Sequence, residues 1–437
     1  MIHVLRAFLI SLVVAVPAHA ATEIVEVTSP GGVKAWLVQE PSIPFVSLEL
    51  SFKGGGSLDR EGARGAINLM AATLEEGAGD MDAQAFATAR EELAAGFGFG
   101  VGRDTVTVTA RFLSENRDDA IALLREALIN PRFEQSAIDR VRAQVLTNLR
   151  SELTDPNSLA SLTFMKQAYG DHPYSTDLNG TLESVAALTR EDIRNAYSDV
   201  FARDRVFVGA AGDISADELG RILDVLLKDL PAEGAPLPSA VDVQVTGGVT
   251  VVPLETPQSV SMFGHVGIPR SDPDFFPAFV ANQIFGGSGL QSRLGIEVRE
   301  ERGLTYSVGS FLVNYDHAYM LMGSLASAND RIADAIDVVR AEWERIAEQG
   351  VTQEELDSAK TFLTGAYPLR FDSNASIARI LVGMQLDGLT KDYVKTRNDL
   401  VNAVTLEDVQ RVAERLYRAE NLRFIIVGQP EGVENVN

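Results

Sequence analysis

"DAIALLREAL", residues 119–128, returns as "DAIDVVRAEW", residues 334–343, and that return decides the fold. The rest of the chain lies on itself in the same way. "VSLELSF" from Val46 matches "VSMFGHV" from Val260, "TREDI" from Thr189 matches "TLEDV" from Thr405, and "DRVFVGAAGD" from Asp204 matches "NLRFIIVGQP" from Asn421. The offset between paired starts drifts only from 214 (46 to 260) to 217 (204 to 421). Each match is weak alone, but four in order at a nearly constant offset mark a duplicated unit.

The duplication divides the chain into a first domain over 21–229, a linker over 230–248 and a second domain over 249–437. The linker, "LPAEGAPLPSAVDVQVTGG", is rich in proline and glycine and has little apolar periodicity. Each domain shows one order of elements. A strand comes first (46–52; 260–266), then a helix (64–75; 276–285). Alternating half-buried strands follow (104–113; 305–315), then long helices (117–128 and 135–153; 330–349 and 353–367), and a short helix and a last strand close the unit. This order predicts an α+β fold, each domain a mostly antiparallel sheet with helices packed on one face.

The chain opens with "MIHVLRAFLISLVVAVPAHA", a basic start at Arg6, an apolar run and a small-x-small site, which reads as a signal peptide over 1–20 cut before Ala21. The run is too short to span a bilayer well, and no later stretch is apolar enough, so no stable membrane insertion is expected. There are 0 cysteines, so an exported chain would rely on its core alone, which suits a bacterial periplasm. The net charge of −23 argues against a nucleic-acid partner; its plainer reading is solubility, and its sharper one a negative surface that attracts basic peptide substrates.

Few residues offer chemistry. His3 and His19 fall in the leader, and His172, His265 and His317 lie far apart in sequence, without the spacing of a metal site. There is no cysteine nucleophile and no G-x-S-x-G motif. Gly54–Gly56 and "FGGSG" (285–289) lack the Lys-Ser/Thr of a phosphate loop. "GAINLMAATLEEGAG" (65–79) reads as a core helix, with Ile67, Met70, Ala71 and Leu74 as its apolar stripe and Gly77 as its stop. What remains is "GGSGLQSRLGIEVREERGLTYSVGSFL" (286–312), a glycine loop, a helix over 290–302 and a strand from 304. Arg299 near the helix end and Tyr306 near the strand start could together hold a peptide carbonyl or the oxyanion that grows from it. Surface ion pairs of Arg299 with Glu297, Glu300 or Glu301 are the plainer alternative.

"SRLGIEVREERGLTYSVGS" (292–310) resembles the C-terminal-domain signature of the pitrilysin/insulinase family, which includes the mitochondrial processing peptidase. "NPRFEQSAIDRVRAQVLTNLRSELTDPNSLA" (130–160), "HPYSTDLNGTLESVAALTREDI" (172–193) and the duplicated layout carry the same resemblance, which covers the whole mature chain. It implies two similar α+β domains forming half of a clam-shell chamber. In active members, it further implies, the first helix carries an H-x-x-E-H zinc motif with a later Glu as third protein ligand. Those positions are here Asn68, Ala71, Ala72 and Asn148, and there is no His between Thr22 and Asp171 to rescue a shifted register. No metal ligand and no cofactor is therefore expected in this chain.

The second domain keeps its share. In the family an Arg and a Tyr seven residues apart hold the scissile carbonyl, and Arg299 and Tyr306 have that spacing. The resemblance thus implies a zinc-lacking subunit of a secreted heterodimeric metallopeptidase, inactive alone, whose homologous partner holds zinc. The alternative is a non-catalytic peptide-binding or scaffold protein acting as a homodimer.

Overall fold

The computed structural model describes residues 23–287 and 291–436. The expected signal peptide lies outside them. Among the described residues no helix is long and apolar enough to cross a membrane.

The first half runs β1 (Val25–Thr28), β2 (Lys34–Gln39), β3 (Phe45–Lys53), α1 (Ala66–Ala72), β4 (Gly96–Val101), β5 (Thr105–Leu113), α2 (Arg117–Ile129), α3 (Gln135–Glu152), α4 (Pro156–Tyr169), α5 (Arg190–Val200), β6 (Val206–Gly212) and α6 (Ala216–Leu227), with shorter helices between. The second half runs β7 (Gly248–Pro253), β8 (Gln258–Val266), α7 (Phe275–Asn282), β9 (Ser307–Asn314), β10 (Tyr319–Ala328), α8 (Ile332–Gln349), α9 (Gln353–Ala366), α10 (Asn374–Leu386), α11 (Tyr393–Ala403), α12 (Leu406–Leu416) and β11 (Arg423–Gly428). The two sheets are ordered β1-β2-β6-β3-β5-β4 and β9-β10-β8-β11-β7. Pairing is antiparallel except for β2 with β6 and β7 with β11. The duplicated α+β architecture expected from the repeats is therefore present, and the repeated strands β3 and β8 sit in the interior of their sheets.

Strand alternation sends each sheet's residues to two faces. On β11, Phe424 and Ile426 join the domain's own helices in a core around Trp343, Phe263 and Phe285. Ile425 and Val427 point the other way and meet Ala160, Phe164 and Ala168 of α4, which belongs to the first half. The first sheet shows the reciprocal arrangement. Leu37 and Ala210 face their own helices, while Val38 and Ala211 meet Ile377, Leu381 and Met384 of α10, from the second half. The helices on one face of each sheet are thus joined, on the opposite face, by one helix lent by the sister half. Gly209 of β6 permits the close approach of α10, because a Cβ there would lie 2.4 Å from the carbonyl oxygen of Ala378.

This exchange couples the stability of the halves. Leu381 is fully buried against the other half's sheet. Leu381→Ala should lower unfolding free energy by roughly 2–5 kcal/mol, and both halves should still melt in one transition. A loss below about 1 kcal/mol in denaturant titration would show that α10 contributes little to holding the halves together.

Residues 230–247 form no helix or strand, yet they are tied down. The amide of Gln244 donates to the carbonyl of Ala168 at 2.8 Å, and that of Val241 to His317 at 3.0 Å.

Candidate functional site

The face of α1 is set from its N-terminal side. Gly65 precedes the helix at φ 87°, where a Cβ would also lie 2.5 Å from the carbonyl oxygen of Asn179, so only glycine fits. The carboxylate of Asp59 accepts from the amides of Gly65 (2.6 Å) and Ile67 (2.9 Å), satisfying donors that the helix start leaves free. The helix ends earlier than its stripe predicts. The Thr73 hydroxyl donates toward the carbonyls of Leu69 (3.0 Å) and Met70 (2.8 Å), closing the helix after Ala72. Gly77 is not the stop; at φ 110° it begins a two-stranded ribbon with Met81–Asp82.

Burial divides the four positions carried over from the family motif. Ala71 is buried among core residues, Asn68 is half-buried, and Ala72 and Asn148 are exposed. Asn68 and Ala72, four apart, share one face of α1, which packs on α3, the helix that carries Asn148. Asn68 donates from Nδ2 to Oδ1 of Asn179 at 2.9 Å, and Asn179 donates from Nδ2 to Oε1 of Glu152 at 2.9 Å. Burial, then the neighbouring Asp177 carboxylate, push the Glu152 carboxyl up from its ordinary value. Asn148 accepts from Nε2 of Gln144 at 3.0 Å. None of these four side chains suits zinc: alanine has no donor atom and a neutral amide is a poor ligand. Among the described residues no group of three or more His, Asp or Glu could hold a metal ion.

Asp59 makes the helix start sensitive to pH. Burial pushes its carboxyl up to about 6, against the lowering effect of the amides of Ile67 and Gly65. The folded value exceeds the unfolded one, near 3.9, so between those pH values the folded state holds the proton more tightly. The group's contribution is fully present below about pH 4 and is lost as pH rises through 6, a change of about 3 kcal/mol. The Asp59→Asn variant should lack this component. Denaturation curves of the two proteins at pH 4 and pH 7 that shift in parallel would refute the assignment.

The second candidate pair lies on the other half. Residues from Gly295 to Glu300 are wound as a π-helix rather than an α-helix, and the strand begins at Ser307. The expected helix start at 290, like Ser288 and Gly289 of the glycine loop, lies outside the described residues. The wider winding and the turn at Gly303 (φ 60°) bring Arg299 back over Tyr306, with the guanidinium carbon 4.7 Å from the ring centroid. The ring is 81% exposed. Of the acids weighed as partners for Arg299, Glu297 binds Arg302 at 2.5 Å and Arg345 at 3.3 Å instead. Tyr306 is held at its base, where Thr305 Oγ1 donates to the Ala326 carbonyl at 2.6 Å. A phenol in solvent, braced on one face by a cation, can offer its O–H to a substrate oxygen.

The histidines take structural places. His265 is buried, donating from Nδ1 to the Val266 carbonyl (2.7 Å) and accepting at Nε2 from the Trp343 indole (3.1 Å). Burial lowers its pKa. His172 and His317, distant in sequence, come together with ring centroids 6.3 Å apart around Tyr174. The Tyr174 hydroxyl in turn bonds the carboxylate of Asp104.

Residues 34–182 match the family described as "Insulinase (Peptidase family M16)", and residues 187–363 match "Peptidase M16 inactive domain". The chain belongs to the insulinase (M16) family. It is 28% identical over 387 residues to "Non-peptidase homolog YmxG" of Helicobacter pylori, covering 88% of this chain and 89% of that protein. It is 24% identical over 405 residues to "Uncharacterized zinc protease YmxG" of Bacillus subtilis, covering 89% and 95%. Among solved structures, the peptidase M16 inactive domain from Pseudomonas fluorescens aligns with a TM-score of 0.86 at 27% identity, over 95% of this chain and 100% of that one. A protease from Helicobacter pylori aligns with a TM-score of 0.83 at 14% identity, over 93% and 99%, a likeness of fold.

Within the M16 family this chain is an inactive-type homologue, since the H-x-x-E-H motif is absent from its sequence. Arg299 and Tyr306 are singled out in the sequence by their place at adjoining element ends and by the family resemblance. Sequence reasoning missed Asn179 and Glu152, because the bonds that join them to Asn68 span 111 and 27 residues.

Proposed function

We propose that this M16 homologue is the zinc-lacking subunit of a secreted heterodimeric metallopeptidase, acting in a bacterial periplasm. A homologous partner holds zinc and performs hydrolysis. This chain closes the chamber, binds an extended peptide and stabilises the scissile carbonyl.

The observation that carries the reading is the Arg299–Tyr306 stack. Its phenol is 81% exposed, while the face of α1 carries amide and methyl groups in place of metal ligands. Tyr306 immediately precedes β9, an edge strand of its sheet, whose Ser310 carbonyl accepts from Nδ2 of Asn282 at 3.2 Å. An extended peptide could add there as a further strand, which would set its carbonyls in register beside the phenol. The acidic surface, at a net charge of −23, favours basic peptides.

The name of the Helicobacter pylori relative favours the second reading, a non-catalytic peptide-binding or scaffold protein acting as a homodimer. Mixing the purified chain with a zinc-bearing homologue from the same genome decides between them. The peptidase reading expects a stable heterodimer and peptide hydrolysis that neither chain shows alone. Homodimers that ignore the homologue, together with tight peptide binding, favour the scaffold.

A further inference from the structure

Away from both candidate sites, α7, the end of α9, α10 and α11 enclose a cavity of about 340 Å³. Four of its lining residues are Arg270, Arg370, Arg379 and Arg397, and the only acidic one is Asp387. In a chain with 61 acidic and 38 basic residues this is a local reversal of charge. The guanidiniums are poorly neutralised. Arg397 is only 6% exposed, yet its Nη1 donates to neutral oxygens, the Leu363 carbonyl (2.7 Å) and Asn398 Oδ1 (3.0 Å). Arg270 pairs with Asp387 (Nε to Oδ2 3.1 Å) and donates from Nη2 to the Tyr393 hydroxyl at 3.0 Å, which leaves the other three guanidiniums to share no acid of the cavity. Arg379 is exposed and reaches Glu49 only at 4.0 Å, and Arg370 is exposed.

A buried cation without an acid beside it is costly, and burial lowers the pKa of Arg397 accordingly. Aromatic rings hold the inner arginines in place: Arg397 lies 4.6 Å from the Tyr367 ring centroid and Arg270 lies 5.1 Å from that of Phe275. Phe276, Phe279, Met384 and Leu389 add apolar wall, and the Tyr393 hydroxyl that accepts from Arg270 adds a polar group. The site therefore has a surplus of positive charge beside an aromatic surface.

We propose that this cavity binds a small organic phosphate, with the phosphate among the four guanidiniums and its apolar or aromatic body against Phe275, Phe276 and Phe279. One guanidinium fork suffices for a carboxylate. Four guanidiniums against one acid match a doubly charged group with three acceptor oxygens. The proposal is independent of the peptidase reading, because no residue of the cavity belongs to the Arg299–Tyr306 pair.

Titration calorimetry of the full-length mature protein with phenyl phosphate, inorganic phosphate and benzoate tests it. Phenyl phosphate should bind saturably at a single site and weaken as salt rises. Benzoate should bind at least about tenfold more weakly, having one charge and two oxygens. Inorganic phosphate should also bind more weakly, having no body to fill the aromatic wall. The rim variant Arg370→Gln should keep the parent's melting temperature without ligand, since that residue is exposed, and lose several-fold in phenyl phosphate affinity. Arg397→Met should abolish binding where it folds. Absence of saturable phenyl phosphate binding, unchanged affinity in the rim variant, or benzoate binding as tightly as phenyl phosphate would each overturn the proposal.

Discussion

In a complex reconstituted from this chain and a zinc-bearing homologue, Tyr306→Phe should lower kcat by about 10²–10³-fold and leave KM nearly unchanged. The change removes one oxygen from a ring that is 81% exposed, so folding and assembly should not register it. On the proposed reading it removes an O–H donor to an oxygen whose charge develops only as the carbonyl is attacked. A donor of that kind acts on the transition state more than on bound substrate, so its loss appears in kcat. Arg299 should behave differently. Its guanidinium lies 4.7 Å from the ring centroid and braces the phenol from behind, an interaction worth about 0.5–2 kcal/mol. Arg299→Ala should both lower kcat, by loosening Tyr306, and raise KM, by removing a cation from the peptide's path, with Arg299→Lys intermediate. Steady-state kinetics on one peptide would separate the two patterns. Full activity of Tyr306→Phe sinks the assignment of an oxyanion donor, whatever becomes of the heterodimer.

The parts of this arrangement that were legible in the sequence are those written in local periods. Alternation in "DTVTVTARFL" marked a strand that forms as Thr105–Leu113, and the repeat offsets found the duplication without any knowledge of packing. The spacing of Arg299 and Tyr306 was visible because it spans one helix end and one strand start. Their stacking was not, because it depends on π-winding that brings the arginine back over the ring. The exchange of α4 and α10 was illegible for another reason. A periodic apolar stripe tells a helix that it must be covered but not by which sheet, and here the covering sheet belongs to the other half. Gly77 misled because a glycine after an apolar stripe is a common helix stop, whereas the Thr73 hydroxyl had already closed the last turn. The arginine cavity draws its residues from separate helices and a loop, so no window of sequence contains it.

Restoring the family's ligands should restore the metal. The triple variant Asn68→His/Ala72→His/Asn148→Glu should bind zinc with near one-to-one stoichiometry where the parent retains none after dialysis. The fold keeps the mounting surface. Asn68 and Ala72 stand four apart on α1, Ala72 and Asn148 are solvent-accessible, and α1 packs directly on the helix that carries Asn148. The changes break one bond of note, from Asn68 to Asn179, worth about 1 kcal/mol. Zinc at about a thousand times its dissociation constant adds about 4 kcal/mol, so the loaded variant should melt well above its metal-free form. Adding Ala71→Glu, the remaining motif position, is a different matter, because Ala71 is 3% exposed. A carboxylate there must reach the metal-bound face or be buried unpaired, so that variant should lose several kcal/mol without zinc and recover part of it with zinc. Zinc uptake by the triple variant no greater than the parent's, measured by atomic absorption after gel filtration, would mean that α1 no longer presents the family's site. The loss of ligands would then have been accompanied by a loss of geometry, and not by substitution on an intact helix face.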